Sequence, residues 1–172
     1  MQKRMDYTDV IVRKYPEPVV VVLARDRQGV CNPISLGWSM PTSHDPPMWA
    51  VSLGVDRYSL EVIRGAGEFT IALPSDRMAG DVFFFGTNSG RAVGKLSERG
   101  VSTLPAVEID CVLLADAVAN FECILASEMV TGDHVILTGR VVAAHVNQNS
   151  EVRRLYTVAP GLVLGGVIPA EE

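Results

Sequence analysis

The 172-residue sequence is poor in the residues that build metal sites and disulfide frameworks. Its three cysteines, Cys31, Cys111 and Cys123, are odd in number and lack CxxC spacing, and its three histidines are scattered along the chain. We therefore expect neither a disulfide framework nor a metal site. Buried free thiols are the simplest interpretation of the cysteines. A reactive role for Cys31, which precedes a polar part of an apolar segment, is the alternative.

Charge is scarce as well. Only 20% of the positions are charged, the formal net charge is −5, and no cluster of Lys and Arg is present, which argues against binding to a phosphate backbone. No apolar run approaches the roughly 20 residues that a membrane span requires, and the first six residues lead into no signal-type apolar segment. We expect a cytoplasmic protein without nucleic-acid or membrane partners. Motifs of the type G-x-S-x-G, the Walker P-loop and G-x-G-x-x-G are missing, which disfavours hydrolases, nucleotide kinases and dinucleotide folds.

Hydrophobic residues are abundant by comparison. They occupy 48% of the positions and include 25 valines, so one folded domain with a sizeable core is expected. The apolar stretches are short and closely punctuated by Gly and Pro, which favours strands over helices. We predict a mainly-β barrel with its core over about residues 15–146 and a more polar tail over residues 147–172.

The pattern along the chain predicts individual elements. Residues 18–25 are typical of a strand buried on both faces, and residues 30–40 of a second strand that faces a ligand. Three prolines in residues 41–47 predict that the chain turns there. The expected elements that follow are a strand at 48–53, a helix at 59–64 with Ser59 as N-cap and Gly65 at its end, a strand at 68–73, a helix at 75–85, and a hairpin with arms at 119–130 and 134–146.

Two segments carry residues suited to binding an anion. Arg57 and Ser59 lie where a strand ends and a helix begins, and free N–H groups at such a point attract phosphate. Residues 87–95 add glycines, hydroxyls, an amide, Arg91 and Lys95. An N-cap beside a solvated arginine and a polar loop that ends a helix are the corresponding structural alternatives.

A third candidate region is the segment at residues 32–43. Its small side chains and backbone donors could line a flat aromatic ligand beside Trp38, although Trp38 in a simple core is the alternative. Trp49 is assigned to the core. His134 follows the expected hairpin turn, where it could donate to a ligand or lie on the surface. His145 is interpreted as structural or surface-exposed.

The order and spacing of these motifs, between about Tyr15 and His145, resemble the flavin reductase-like proteins, and the flavoredoxin and ferric reductase-like branch in particular. The segments that carry the resemblance are Trp38-Ser39-Met40-Pro41-Thr42-Ser43-His44, Arg57-Tyr58-Ser59, Gly67-Glu68-Phe69-Thr70, Ser89-Gly90-Arg91 with Lys95, and Gly132-Asp133-His134.

The resemblance implies an FMN-binding split β-barrel with a few short helices, a non-covalently held FMN (FAD is possible), and a homodimer. The residues that it places at the cofactor are Asn32, Trp38, Ser39, Thr42, Ser52, Arg57, Tyr58, Ser59, Thr87, Ser89, Gly90 and Lys95. Among them, Arg57 and Ser59 are expected to hold the phosphate. His134 is expected near the incoming nicotinamide nucleotide, as the catalytic residue.

The function implied is an FMN-dependent oxidoreductase. Hydride would pass from NADH or NADPH to the flavin, and electrons would then pass to free flavin, a ferric chelate or a partner protein. An FMN-binding electron-transfer module without its own NAD(P)H oxidase activity is the alternative, and a barrel that has lost its flavin is a third. Val163, where an aromatic residue is common in the flavoredoxin branch, implies a more open C-terminal wall.

Overall fold

The computed structural model describes residues 1–167. The α-helices are α1 (Tyr7–Ile11), α2 (Tyr58–Ala66), α3 (Ala79–Thr87) and α4 (Lys95–Arg99), and two 3-10 turns cover Val12–Lys14 and Asp76–Met78. The strands are β1 (Glu17–Pro18), β2 (Val20–Arg25), β3 (Cys31–Leu36), β4 (Ser39–His44), β5 (Pro47–Gly54), β6 (Glu68–Leu73), β7 (Thr103–Pro105), β8 (Val112–Leu114), β9 (Ala119–Thr131), β10 (His134–Val146), β11 (Tyr156–Ala159) and β12 (Val163–Gly165). The predicted mainly-β class is confirmed. None of the described helices is long and apolar enough to cross a membrane.

The main sheet has seven antiparallel strands in the order β3-β2-β6-β9-β10-β5-β4. Its edge strands are therefore β3 and β4. The long hairpin β9–β10 matches its predicted arms to within one residue, because a two-residue turn at Gly132-Asp133 joins two long β-branched runs. Within the described residues β1, β11 and β12 form a smaller sheet, and β7 pairs with β8.

Strand β2 explains how the sheet builds two cores. Val20, Val22 and Ala24 face the first core, which includes Phe69 and Leu137, whereas Val19, Val21 and Leu23 face the second core beneath α3. All six residues from Val19 to Ala24 are buried. The prediction of a strand buried on both faces is thereby confirmed, and it follows from the uninterrupted apolar run.

Two predictions about the segment from residue 30 to residue 47 are wrong. The chain forms two strands here instead of one, since it bends at Gly37 and Trp38 between β3 and β4. Pro41 lies inside β4 instead of ending the ladder, because β4 is an edge strand and is bulged between Pro41 and Ser43. Proline has no backbone N–H to donate, but on the open side of an edge strand there is no neighbouring strand that needs this donor. The actual reversal is confined to Asp45 and Pro46.

Helix α2 also departs from its prediction at both ends. Its N-cap is Arg57, and Ser59 is inside the first turn, where its hydroxyl is bonded to Asn32 instead of capping the helix. The helix ends at Gly67, whose φ of 71° is the left-handed conformation that glycine adopts at low cost, and not at Gly65. The helix predicted at 75–85 is present as a 3-10 turn followed by α3.

Aromatic and charged side chains complete the scaffold. Trp49 packs against the first core with its ring 5.0 Å from that of Phe121, as expected of a core residue. The buried carboxylate of Glu122 accepts N–H groups of Val107, Glu108 and Ile109 and lies 2.6 Å from Nε2 of His145. Burial by itself would raise the pKa of Glu122, but these donors lower it. His145 is thus structural, and the loop at residues 106–111 is tied to β9.

Candidate functional site

Arg57 and Ser59 meet at the start of α2. Arg57 occupies the N-cap position in an extended conformation, and its side chain is 59% exposed, with Asp56 Oδ1 3.7 Å from its Nε. Ser59 is buried, and Asn32 Nδ2 donates to its Oγ at 2.8 Å. The other side-chain atom of that amide, Oδ1 of Asn32, is buried without a hydrogen-bond partner among the described residues. This corner therefore holds a cation that is more than half exposed, next to an unsatisfied buried acceptor.

The loop after α3 closes on this corner at Gly90. A Cβ atom at residue 90 would lie 1.9 Å from Asn32 Oδ1 and 3.2 Å from the Tyr58 ring, so only glycine fits. Arg91 lies over the ring of Tyr58 at 4.7 Å, and its Nη2 donates to Glu61 Oε1 at 2.8 Å. These two contacts of Arg91 hold the loop against α2, and the sequence pattern did not indicate either of them.

Lys95 is the buried cation of the site. Its side chain is 3% exposed, and Nζ donates to Pro33 O at 2.7 Å and to Phe85 O at 2.9 Å. Burial, and then the positive charge of Arg57, lower its pKa to about 8. An ammonium has three donors, and two are used here. Lys95 therefore joins β3 to the end of α3 and keeps one N–H for a further acceptor.

These side chains surround one cavity of about 190 Å³. The predicted residues that line it are Arg57, Tyr58, Ser59, Thr87, Ser89, Gly90 and Lys95. We call it the cation cavity, because three cationic side chains and one carboxylate, Asp56, line it and give it a net charge of +2. The lining residues furthest apart in sequence, Ile34 and Lys95, are 61 positions apart.

Of the remaining predicted residues, Asn32 contacts Ser59 and Gly90 but does not line the cavity, and the others lie along the neighbouring sheet edge. The rings of Trp38 and His134 are 4.7 Å apart, and Ser52 N donates to Trp38 O at 2.9 Å. Ser39 Oγ is buried without a hydrogen-bond partner among the described residues. We call Trp38, Ser39, Ser52 and His134 the edge cluster. Trp38 is 44% exposed, so the alternative that it is a simple core residue is wrong.

The edge cluster does not line the cation cavity, but the backbone holds the two side by side. His134 is paired in register with Gly54, Val55 N donates to Asp133 O, and Arg57 N donates to Gly54 O. The chain thus runs directly from the edge cluster to Arg57. Thr42 is exposed at the bulge of β4 and does not line the cavity.

His134 is oriented by its neighbour in the hairpin turn. Its Nδ1 lies 2.7 Å from Asp133 Oδ1, and this hydrogen bond together with the charge of the imidazolium lowers the pKa of Asp133. With Nδ1 held by the carboxylate, Nε2 is the ring nitrogen left for another partner. Among the described residues, no group of three or more side chains suited to a metal ion was found.

A larger cavity of about 570 Å³ lies on the other side of Tyr58, which lines both. It is bounded by the turn at residues 26–28, one face of α2 and Asp110, and the sequence pattern did not indicate it. Arg25 and Arg27 face four carboxylates there, so this cavity has a net charge of −2. The two cavities are therefore opposite in charge, with one aromatic ring between them.

The fold and the cation cavity together define a class of protein, an antiparallel split barrel with a positively charged cavity where α2 begins. Residues 12–160 match the model of the Flavin reductase like domain, and the chain belongs to this family. The resemblance to flavin reductase-like proteins and the split-barrel fold are confirmed.

Similar proteins are found both by sequence and by structure. An uncharacterized protein of Archaeoglobus fulgidus is 29% identical over 111 residues, which are 64% of this chain and 63% of the relative, so the match spans less than two thirds of the length of that relative. Flavoredoxin from Methanosarcina acetivorans superimposes with a TM-score of 0.87 at 20% identity, covering 100% of this chain and 94% of that one. The FMN-binding protein from Thermus thermophilus superimposes with a TM-score of 0.86 at 23% identity, covering 100% and 98%.

Proposed function

We propose that this chain is a flavin-dependent oxidoreductase that binds FMN and accepts hydride from NADH or NADPH. Family membership supports a flavin as the cofactor, and the charge of the cation cavity is the observation that carries the proposal. A phosphate monoester carries about two negative charges at neutral pH. The lining of the cavity has a net charge of +2 and includes the exposed guanidinium of Arg57 and the buried ammonium of Lys95, whose third N–H is free. The donor set therefore fits the phosphate of FMN.

In this proposal the residues of the cation cavity hold the cofactor. Arg57, Lys95 and the loop at Ser89 and Gly90 bind the phosphate, and Asn32, which does not itself line the cavity, holds Ser59 in place by donating to its Oγ. The edge cluster lies along the ring system. Bound FMN supplies the redox chemistry that the side chains lack.

His134 is the catalytic residue of the proposal. Asp133 holds Nδ1, so Nε2 is the ring nitrogen available to the nucleotide. A tilted contact with the Trp38 ring, with an interplanar angle of 40°, further limits rotation of the imidazole. The role of His134 is to orient the nicotinamide nucleotide, whose hydride needs no protein base.

We also propose a homodimer. Four exposed apolar side chains lie in the edge cluster or close to it in the chain: Trp38 directly before β4, Met40 on β4, and Met129 and Val130 at the end of the β9–β10 hairpin. Burying them against a second chain would exclude water from the edge cluster, as hydride transfer requires. Sedimentation equilibrium of the purified protein tests this: twice the chain mass of 18.6 kDa is expected, and a monomer at working concentrations contradicts it.

The decisive experiment separates the enzyme from its alternative, an electron carrier that does not oxidise nicotinamide. Purified protein loaded with FMN is mixed with NADH or NADPH, and nucleotide oxidation is followed with FMN, FAD or a ferric chelate as acceptor. Turnover with either nucleotide supports the enzyme. A yellow protein that oxidises neither nucleotide is a carrier, and a protein that takes up no flavin has lost the cofactor.

The role of His134 is tested in the same assay. His134→Gln is expected to lower kcat/KM for the nicotinamide nucleotide by ~10-fold, the size of effect that a single orienting contact provides. His44→Gln, at an exposed position on β4, is the matched control and should leave turnover unchanged. Equal effects of both substitutions would remove His134 from the site.

The larger cavity bears on the choice between FMN and FAD. Its net charge of −2 repels a phosphate, whereas a nucleoside without charge has room in a volume of about 570 Å³. FAD is therefore the second cofactor to test, with its pyrophosphate in the cation cavity and its adenosine beyond Tyr58. Titrations of the flavin-free protein decide: FAD binding more tightly than FMN supports this arrangement, and FMN binding more tightly supports the leading proposal.

A further inference from the structure

Cys31 and Cys111 lie side by side although 80 positions separate them in the sequence. Their Sγ atoms are 4.0 Å apart, and Cys111 Sγ also approaches Leu23 O at 3.5 Å. Both residues are free thiols in this structure. A disulfide bond is about 2.05 Å long, so the two sulfurs must approach by about 2 Å. Rotation of a cysteine side chain between staggered positions moves Sγ by more than this amount.

The two segments that carry the thiols are held together independently of them. Arg25, which pairs in register with Cys31, donates from Nε to Asp110 Oδ1 at 2.8 Å, directly before Cys111 in the chain. Glu122 fixes the loop at residues 106–111 from the other side through three backbone N–H groups. Cys111 itself lies in that irregular loop and not in a strand, so its backbone can adjust without breaking the seven-stranded sheet.

We propose that Cys31 and Cys111 form a reversible disulfide when the folded protein meets hydrogen peroxide, and that the pair is a site of oxidative modification. The cross-link would join β3, which carries Asn32 next to Cys31, to the loop at residues 106–111. The proposal concerns the thiols alone and does not depend on whether a flavin binds.

The reaction proceeds in two balanced steps. The Cys111 thiolate attacks one oxygen of the peroxide and becomes a sulfenic acid, and the hydroxide that leaves takes up a proton to become water. The Cys31 thiol then attacks the Cys111 sulfur, the S–S bond forms, and the sulfenic oxygen leaves as a second water. Two thiols lose two protons and two electrons in total, and one peroxide takes them up and is reduced to two waters.

The environment of each thiol supports this order. The hydrogen bond from Cys31 is the main cause that lowers the pKa of Cys111, whereas the same contact and burial raise the pKa of Cys31. Cys111 is therefore the attacking thiolate and Cys31 the thiol that resolves the sulfenic acid. Cys123 is fully buried, and burial raises its pKa to about 12, so it serves as an internal unreactive control.

The test is to count thiols after oxidation of the native protein. Excess hydrogen peroxide is added and removed, the protein is unfolded in N-ethylmaleimide, and the intact mass is measured. The expected result is a fall from three labels to one, a loss of two hydrogens, a cross-linked peptide that contains Cys31 and Cys111, and three labels again after dithiothreitol. Circular dichroism before unfolding shows that the fold is retained.

Three variants locate the bond. Cys123→Ala should take no label after oxidation, whereas Cys31→Ser and Cys111→Ser should each form no intramolecular disulfide. Three labels on the oxidised wild type, or a cross-linked peptide that contains Cys123, would overturn the proposal. The wild-type measurement decides by itself if a variant does not fold.

Discussion

The cation cavity and the edge cluster lie next to each other but are built in different ways. The cavity is formed by buried polar groups: Lys95 is held by two backbone carbonyls, and Ser59 by Asn32. The edge cluster relies on a partly exposed ring contact between Trp38 and His134 at the margin of the sheet. One region is enclosed by its own chain, and the other is open on one side.

The difference indicates what each region can do alone. A buried ammonium with a free N–H is already oriented, so an anion that enters loses little ordering free energy. An exposed aromatic pair gains most of its energy only when another surface excludes water from it. In the proposed function, the cavity therefore supplies most of the affinity for FMN, and the edge cluster supplies orientation.

The sharpest test of this comparison removes the buried cation. Lys95→Met is expected to weaken FMN binding by ~30-fold, about 2 kcal/mol, the range for a hydrogen bond to a charged group. Riboflavin, which has no phosphate, should lose far less affinity. Flavin fluorescence titrations measure both, and Arg64→Met, which removes an exposed ion pair with Glu128, is the control. Equal losses for FMN and riboflavin would show that Lys95 supports the fold and not the phosphate.

The exposed cation should matter less than the buried one. Arg57→Ala is expected to weaken FMN binding by ~10-fold, at least about 1 kcal/mol, because solvent screens a guanidinium that is more than half exposed. The effect should shrink as salt is added. Isothermal titration at two salt concentrations measures it, and an unchanged affinity removes Arg57 from the site.

Next in size is a pH effect. The pKa of Lys95 is lowered to about 8 by burial and by Arg57, so its charge is lost as the pH rises through that value. Affinity for FMN should then fall by ~5-fold between about pH 7 and pH 9, while the phosphate keeps its charge. Lys95→Met should flatten the profile. A wild-type profile with no change across this range contradicts the assignment of Lys95 as the titrating group.

The smallest expected effect comes from the edge cluster. Trp38→Ala should weaken the binding of FMN and of riboflavin alike by ~3-fold, since a partly exposed aromatic contact contributes about 0.5–1 kcal/mol. Trp49→Phe, in the core, is the matched control for loss of an indole. If Trp38→Ala weakened the binding of FMN and not that of riboflavin, the phosphate would lie beside the edge cluster and not in the cation cavity.

Much of the fold was predictable from local pattern. The run from Val19 to Ala24 indicated a strand buried on both faces, and the β9–β10 hairpin followed from two long β-branched arms around Gly132 and Asp133. The strand break at Gly37 and the place of Pro41 in β4 were not predictable, because a proline is tolerated or excluded according to whether its strand lies at an edge.

The candidate site, like the fold, was predictable only in part. Arg57 and the loop containing Ser89 and Lys95 could be singled out by residue type. Ser59 was wrongly predicted to cap α2, because its hydrogen-bond partner, Asn32, is 27 positions away in the sequence. Nothing in the sequence indicated that Arg91 packs on the ring of Tyr58, since a cation and an aromatic ring 33 positions apart form no local pattern.

Residue order alone was enough to determine the β-rich class, the hairpin and the family, because periodicity, turn chemistry and motif spacing are short-range properties of the chain. Tertiary packing decided which cations are buried, which polar atoms lack partners, and which cysteines touch. Those outcomes depend on contacts between segments distant in sequence, where burial changes the energy of a charge or a thiol far more than its neighbours along the chain do.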